Sequence, residues 1–191
     1  LFQYREGPAT IFMTRKGLEV DFVARNAADT NRDQEDFPVP EIGIPPTAIT
    51  MIRFDMLFAG RLAPEMTVQG VHANAYRSYY YLTPELGHIE TCSFDSILYN
   101  NIYHNIDLAL SPAIDGLKYT WIVHPGGNPS DIRFAYSGSR DIERLARETT
   151  IKTHLMSIAD RELCVFQDDD KGLIEIAAEV TWTGEEASFQ L

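Results

Sequence analysis

The residues able to do chemistry are few and scattered. Asp107, with Asp115 and Glu85, could supply the acid and the base of a glycoside hydrolase, since that reaction needs two carboxylates flanking the sugar bond. An architectural role competes with it: Asp107 closes the turn after Tyr103 by accepting backbone N–H groups, and Asp115-Gly116 forms a hairpin turn. Nothing in the spacing fixes the separation of the three carboxylates, so the architectural role is the one adopted. Asp168-Asp169-Asp170 offers oxygens to a hard cation such as calcium, but successive strand residues point in alternating directions and the D-x-D-x-D-G loop is missing. This run reads as a solvated hairpin turn. His72, His88, His104, His124 and His154 form no H-x-x-x-H pair, and Cys92 and Cys164 have neither CxxC spacing nor adjacent histidines. The two cysteines read as buried, unlinked small apolar side chains, with a single disulfide as the alternative. Ser78 and Ser137-Gly138-Ser139 lack a G-x-S-x-G setting. No catalytic residue, metal or cofactor is therefore assigned.

One cluster suggests binding. Tyr76, Tyr79, Tyr80 and Tyr81 put four flat rings within six positions, and such rings stack on sugars or anchor protein partners at low entropic cost. Strand alternation sends Tyr79 and Tyr81 to one face and Tyr80 to the other, so core packing competes with ligand binding for these residues.

The elements that must position these residues follow from composition and period. The chain has 191 residues, 45% hydrophobic and 11% aromatic, which suits one globular domain and argues against disorder. No apolar run reaches the length of a membrane span. Sixteen Lys and Arg against 28 Asp and Glu give a net charge of −12, which repels phosphate backbones and anionic lipid and excludes nucleic acid as an expected partner. The chain begins at Leu1, lacks the basic and apolar blocks of a signal peptide, and reads as a piece of a longer polypeptide.

The apolar period is two. It runs through Leu18-Val20-Phe22-Ala24, Ile52-Phe54-Met56-Phe58, Leu117-Tyr119-Trp121-Val123, Ile132-Phe134-Tyr136 and Ile174-Ile176-Ala178-Val180-Trp182, with turn formers between. This predicts an all-β fold, a sandwich of two mostly antiparallel sheets, with a core that includes Phe22, Phe54, Tyr119, Trp121, Phe134, Ile176 and Trp182. Residues 26–46, polar and then punctuated by Pro38, Pro40, Pro45 and Pro46, are predicted to form a long surface loop. Around Ile142, Leu145 and Ala146 the spacing alone fits a short helix.

The segment Tyr99-Asn100-Asn101-Ile102-Tyr103-His104-Asn105-Ile106-Asp107-Leu108, then Leu117-Lys118-Tyr119, then Val123 to Arg133 with Pro125, Gly126 and Pro129, and on to Phe134, Tyr136 and Gly138, resembles a particular family. It is the uncharacterised domain near the N-terminus of large secreted Bacteroidota-type proteins, often ahead of SBBP (beta-propeller) repeats, PKD domains or gliding-motility-type sorting domains. This sequence departs from the family pattern at His104-Asn105, which stand for Pro-Gly, and at Thr120, which stands for Asp. Asn105 tolerates the left-handed conformation of a turn glycine, so the first change is mild.

The resemblance implies a setting, secreted or on the cell surface, and no reaction. It marks Tyr99, Asn101, Tyr103, Asp107, Lys118, Tyr119, Pro125, Gly126, Pro129 and Gly138 as structural motif positions, and it implies strand rather than helix over 139–155. The function expected is a non-catalytic structural or binding module that works in adhesion, assembly or spacing. Its partners would be other domains of the same polypeptide, surface proteins or glycans. The enzyme alternative is a carbohydrate-active hydrolase built on carboxylates near Asp107; a third is a subunit of an extracellular assembly.

Overall fold

A computed structural model describes residues 2–25, 49–81, 87–114, 116–145, 148–161, 163–169 and 172–191. The loop expected over 26–46, and with it Glu85, Asp115 and Asp170, lies outside the described residues.

The fold is all-β and antiparallel. The strands are β1 (Phe2–Glu6), β2 (Ala9–Thr14), β3 (Gly17–Arg25), β4 (Ile49–Phe58), β5 (Thr67–Tyr81), β6 (His88–Tyr103), β7 (Ile106–Ala113), β8 (Gly116–Val123), β9 (Arg133–Ser137), β10 (Asp141–Arg144), β11 (Thr149–Lys152), β12 (Ser157–Asp160), β13 (Val165–Asp169), β14 (Gly172–Ile176), β15 (Glu179–Thr183) and β16 (Glu186–Gln190). Among the described residues the one helical element is a 3-10 turn at Pro129–Asp131. Strand at β10 and β11 agrees with the family resemblance over 139–155 and overrides the helical spacing of Ile142 and Leu145, because Thr149, Thr150 and Ile151 prefer extended backbone.

The chain gathers into two compact units. The first comprises Leu1–Leu57, Tyr136–Arg144 and Glu148–Arg161, the second Phe58–Ala135, Leu145–Arg147 and Glu162–Leu191. In the first, β1 to β4 form a meander in which Val20 faces Phe54 and Leu18 faces Met56. Met13, Leu18, Val20, Phe22, Phe54 and Met56 are buried on its inner face. Strands β10, β11 and β12 form a second antiparallel sheet that buries Thr149 and Ile151. Tyr136 packs its ring against Phe54 and donates its hydroxyl to Asp160 Oδ2 at 2.6 Å. Gly138 has φ +81°, and a Cβ there would stand 2.5 Å from the Arg53 carbonyl oxygen, so both the turn and the close approach demand glycine at this motif position.

In the second unit β5, β6, β7 and β8 form a four-stranded antiparallel sheet, and β16 pairs with both β15 and β9. The centre of the core is the block 97–110: Tyr99, Ile102, Tyr103, Ile106, Leu108 and Leu110 are at most 1% exposed. Phe58 meets Tyr99 and Trp121 edge-on, and Phe134 packs on Phe189. The Tyr103 hydroxyl lies 2.8 Å from the Ala59 carbonyl and 2.6 Å from that of Arg133, sharing its one proton between them, and so ties the end of β6 to the start of β9.

The expected core needs correction at its edges. Phe22, Phe54 and Phe134 are buried, but Tyr119, Trp121, Ile176 and Trp182 are only half-buried, and Val123 and Ile174 are exposed. The reason is position. Strands β8 and β15 end their sheets, and β14 pairs with β13 alone among the described strands, so each lacks a neighbour to cover its flank.

Candidate functional site

The motif residues converge on one corner of the second unit. β6 ends at Tyr103, His104-Asn105 turns the chain, and β7 starts at Ile106, with Tyr103 directly opposite Ile106. Two residues sit in the left-handed region here, Asn101 at φ +52° and Asn105 at φ +56°. Asparagine is the non-glycine residue that bears this most easily, because its short amide bonds to nearby backbone. Here Asn101 Oδ1 accepts the N–H of Asn105 at 2.9 Å, and the pairing of β6 with β7 shifts register between Tyr99 and Tyr103 to admit the bulge.

Asp107 locks the bulge. Its Oδ1 accepts the Asn101 backbone N–H at 2.6 Å, and its Oδ2 lies 2.8 Å from His124 Nε2. The sequence points to Asp107 as a turn residue that accepts backbone N–H groups alone. Instead β7 begins at Ile106, so Asp107 is a strand residue paired with Ile122, and its second oxygen reaches the imidazole of His124 just past the end of β8.

The chain after β8 is stitched to the same turn. His124 N donates to Asn105 O at 2.9 Å, Gly127 N donates to His124 O at 2.9 Å, and Asn105 Nδ2 reaches Pro125 O at 3.4 Å. A Cβ on Gly127 would stand 2.7 Å from Asn105 O, which explains a glycine there, while Gly126 carries φ +89°. Asn128 then caps the 3-10 turn by accepting from Ser130 N, with Pro129 in the first position, where its missing N–H costs nothing.

Chemically, the corner is an oriented imidazole with a backbone lock. Asp107 is 19% and His124 48% exposed, so the contact between them is partly open to solvent. Glu65 joins through Asn101, whose Nδ2 donates to Glu65 Oε1 at 2.6 Å. Burial pushes the Tyr103 hydroxyl up to about 12, with the Arg133 N–H that donates to it pulling the other way, and burial raises Tyr99 further. Among the described residues no group of three His, Cys, Asp or Glu side chains is placed to hold a metal ion. Both cysteines are free thiols, but the burial expected of them is not found: Cys92 is half-buried and Cys164 exposed.

Of the other residues singled out, Lys118 is exposed and Tyr119 half-buried on β8, away from the corner. Tyr76, Tyr79, Tyr80 and Tyr81 all lie on β5; Tyr79 is 50% exposed and packs against His88, while the side chains of the other three are outside the described set. Sequence reasoning missed His124, Asn105 and Glu65 as partners of the motif. The histidine was visible only as a member of a scattered set, and its link to Asp107 spans 17 positions.

A family model matches residues 1–191, the whole chain. The chain belongs to that family, described as a domain of unknown function (DUF7948). No curated protein and no solved structure matches it. In this member of the family, the block 99–138 carries the buried centre and the corner just described.

Proposed function

We propose that this domain is a non-catalytic structural module of an exported bacterial protein, working in assembly, adhesion or spacing through contacts with proteins or glycans. One observation carries the reading: both oxygens of Asp107, the carboxylate on which the hydrolase alternative is built, are engaged within the fold, one by a backbone N–H and one by His124. A carboxylate held this way fastens a corner. The secreted or surface setting, and companions such as SBBP or PKD domains, rest on the resemblance of residues 99–138; the acidic charge of −12 suits a soluble exterior.

The test has two arms. Recovering the full reading frame and fractionating cells with an antibody to the domain is expected to put it outside the cytoplasm, beside further repeat or sorting domains. Incubating the domain with a panel of polysaccharides is expected to give no reducing ends above background. Turnover that Asp107→Asn abolishes, with an unchanged melting curve, would replace this reading with the hydrolase.

A further inference from the structure

The second unit carries a groove of about 480 Å³ over one face of β9, β16 and β15, a volume within the roughly 300–1,000 Å³ of small-ligand sites. Register builds its floor. Ser188 stands opposite Thr181 on β15 and opposite Arg133 on β9, so the three side chains form one row across the sheet, and Gln190 follows on the same face two positions on. The alternate residues Phe134, Ala187 and Phe189 are buried, with the two rings packed together, and give that row a firm backing. The turn at Pro129–Asp131 packs on β16 and with Asn128 forms the wall.

The lining is polar and balanced in charge. Thr181 Oγ1 donates to Ser188 O at 3.3 Å and lies 2.9 Å from Ser188 Oγ, which orients both hydroxyls while leaving lone pairs on each. Asn128 Oδ1 accepts the Ser130 N–H at 3.2 Å, so its Nδ2 is the end able to donate outward. Arg133 supplies the charged donor, and its backbone is clamped: its N–H donates to Tyr103 Oη at 3.3 Å and its carbonyl accepts from Ala59 N at 2.9 Å. Glu186 Oε1 lies 3.3 Å from Arg133 Nη1, so the guanidinium stands beside a carboxylate that balances it.

We infer that this groove binds a short stretch of uncharged glycan. The lining selects that class. An apolar ligand would strand the hydroxyls and amides without partners. A cation is repelled by Arg133, and an anion meets a guanidinium already balanced by Glu186 on a chain whose net charge is −12. A peptide added as a strand needs free main-chain groups, and those of β16 are taken on both sides, by β15 and by β9. Neighbouring sugar hydroxyls each donate and accept, which matches acceptors on Thr181 and Ser188 set beside donors on Arg133, Asn128 and Gln190. The inference rests on the glycan contacts of the reading above and gives them a site.

The experiment applies the 191-residue chain, multimerised on streptavidin through a biotin at its N-terminus, to an array of neutral and acidic glycans, and then titrates the strongest neutral binder into the isotope-labelled chain by NMR. Neutral glycans are expected to be captured in preference to uronate and sulfated ones, with saturable shifts of the Ser130, Arg133, Ser188 and Gln190 amides. Gln190→Ala and Arg133→Gln, both at exposed positions, should each weaken binding about threefold or more. Ser130→Trp, which fills the groove from its exposed rim, should abolish binding and is the fallback should Arg133→Gln melt early. Capture of no neutral glycan, a preference for acidic ones, shifts that fall outside the groove, or binding that ignores the variants would overturn the site. Each of these leaves the structural-module reading standing through its protein contacts, whereas polysaccharide turnover would remove that reading whatever the groove binds.

Discussion

Replacing Asp107 with alanine removes one carboxylate and strands two partners. The backbone N–H of Asn101, part-buried and held at φ +52°, loses the acceptor at 2.6 Å that fixes its bulge. His124 loses the carboxylate at 2.8 Å, but with 48% of its side chain in solvent it can turn to water, so this part of the cost is small. The amide carries most of the effect, because an unpaired buried donor costs about 1–3 kcal/mol. For a chain of this size each kcal/mol lowers the melting temperature by about 2–4 °C, giving a fall of about 2–12 °C. Asp107→Asn keeps one acceptor oxygen for Asn101 and should lose less than half as much. Urea denaturation and calorimetry on the three proteins measure the ranking, and His124→Ala in each background gives the coupling. An alanine variant that melts with the wild type, or an asparagine variant as weak as alanine, would refute the account of the corner.

Tyr103→Phe should cost about 1–2 kcal/mol in the same denaturation assay, because the carbonyls of Ala59 and Arg133 both lose the hydroxyl that bridges them. Alkali should destabilise the fold through the same group: the folded Tyr103 titrates near 12 against 10.0 when unfolded, so the stability it lends is intact below pH 10 and is lost as pH rises through that interval, a loss that a pH series of melts on Tyr103→Phe should show reduced. Gly127→Ala pushes a methyl to 2.7 Å from the Asn105 carbonyl, and should lower the melting temperature while leaving the far-ultraviolet spectrum of a β protein unchanged. Gly70→Val drives a side chain into the ring of Phe94, which lies across that glycine, and should raise proteolytic cleavage within β5 and β6.

Period two in runs such as Leu18 to Phe22 and Ile132 to Tyr136 was enough to determine an all-β fold, because alternation in a strand has no other stable use than one face in and one face out. The block 99–138 likewise announced its importance, since Asn101, Asn105, Gly126 and Gly138 are residue types that special backbone angles or close approaches select locally. What lay beyond local chemistry was who meets whom. Trp121 and Trp182 carry the same alternation as Phe134, yet they stay half-buried because their strands end a sheet, and sheet order is set by long-range pairing. Asp107 and His124 are 17 positions apart, with a hairpin between them, and only the antiparallel pairing of β7 with β8 brings the imidazole to the carboxylate.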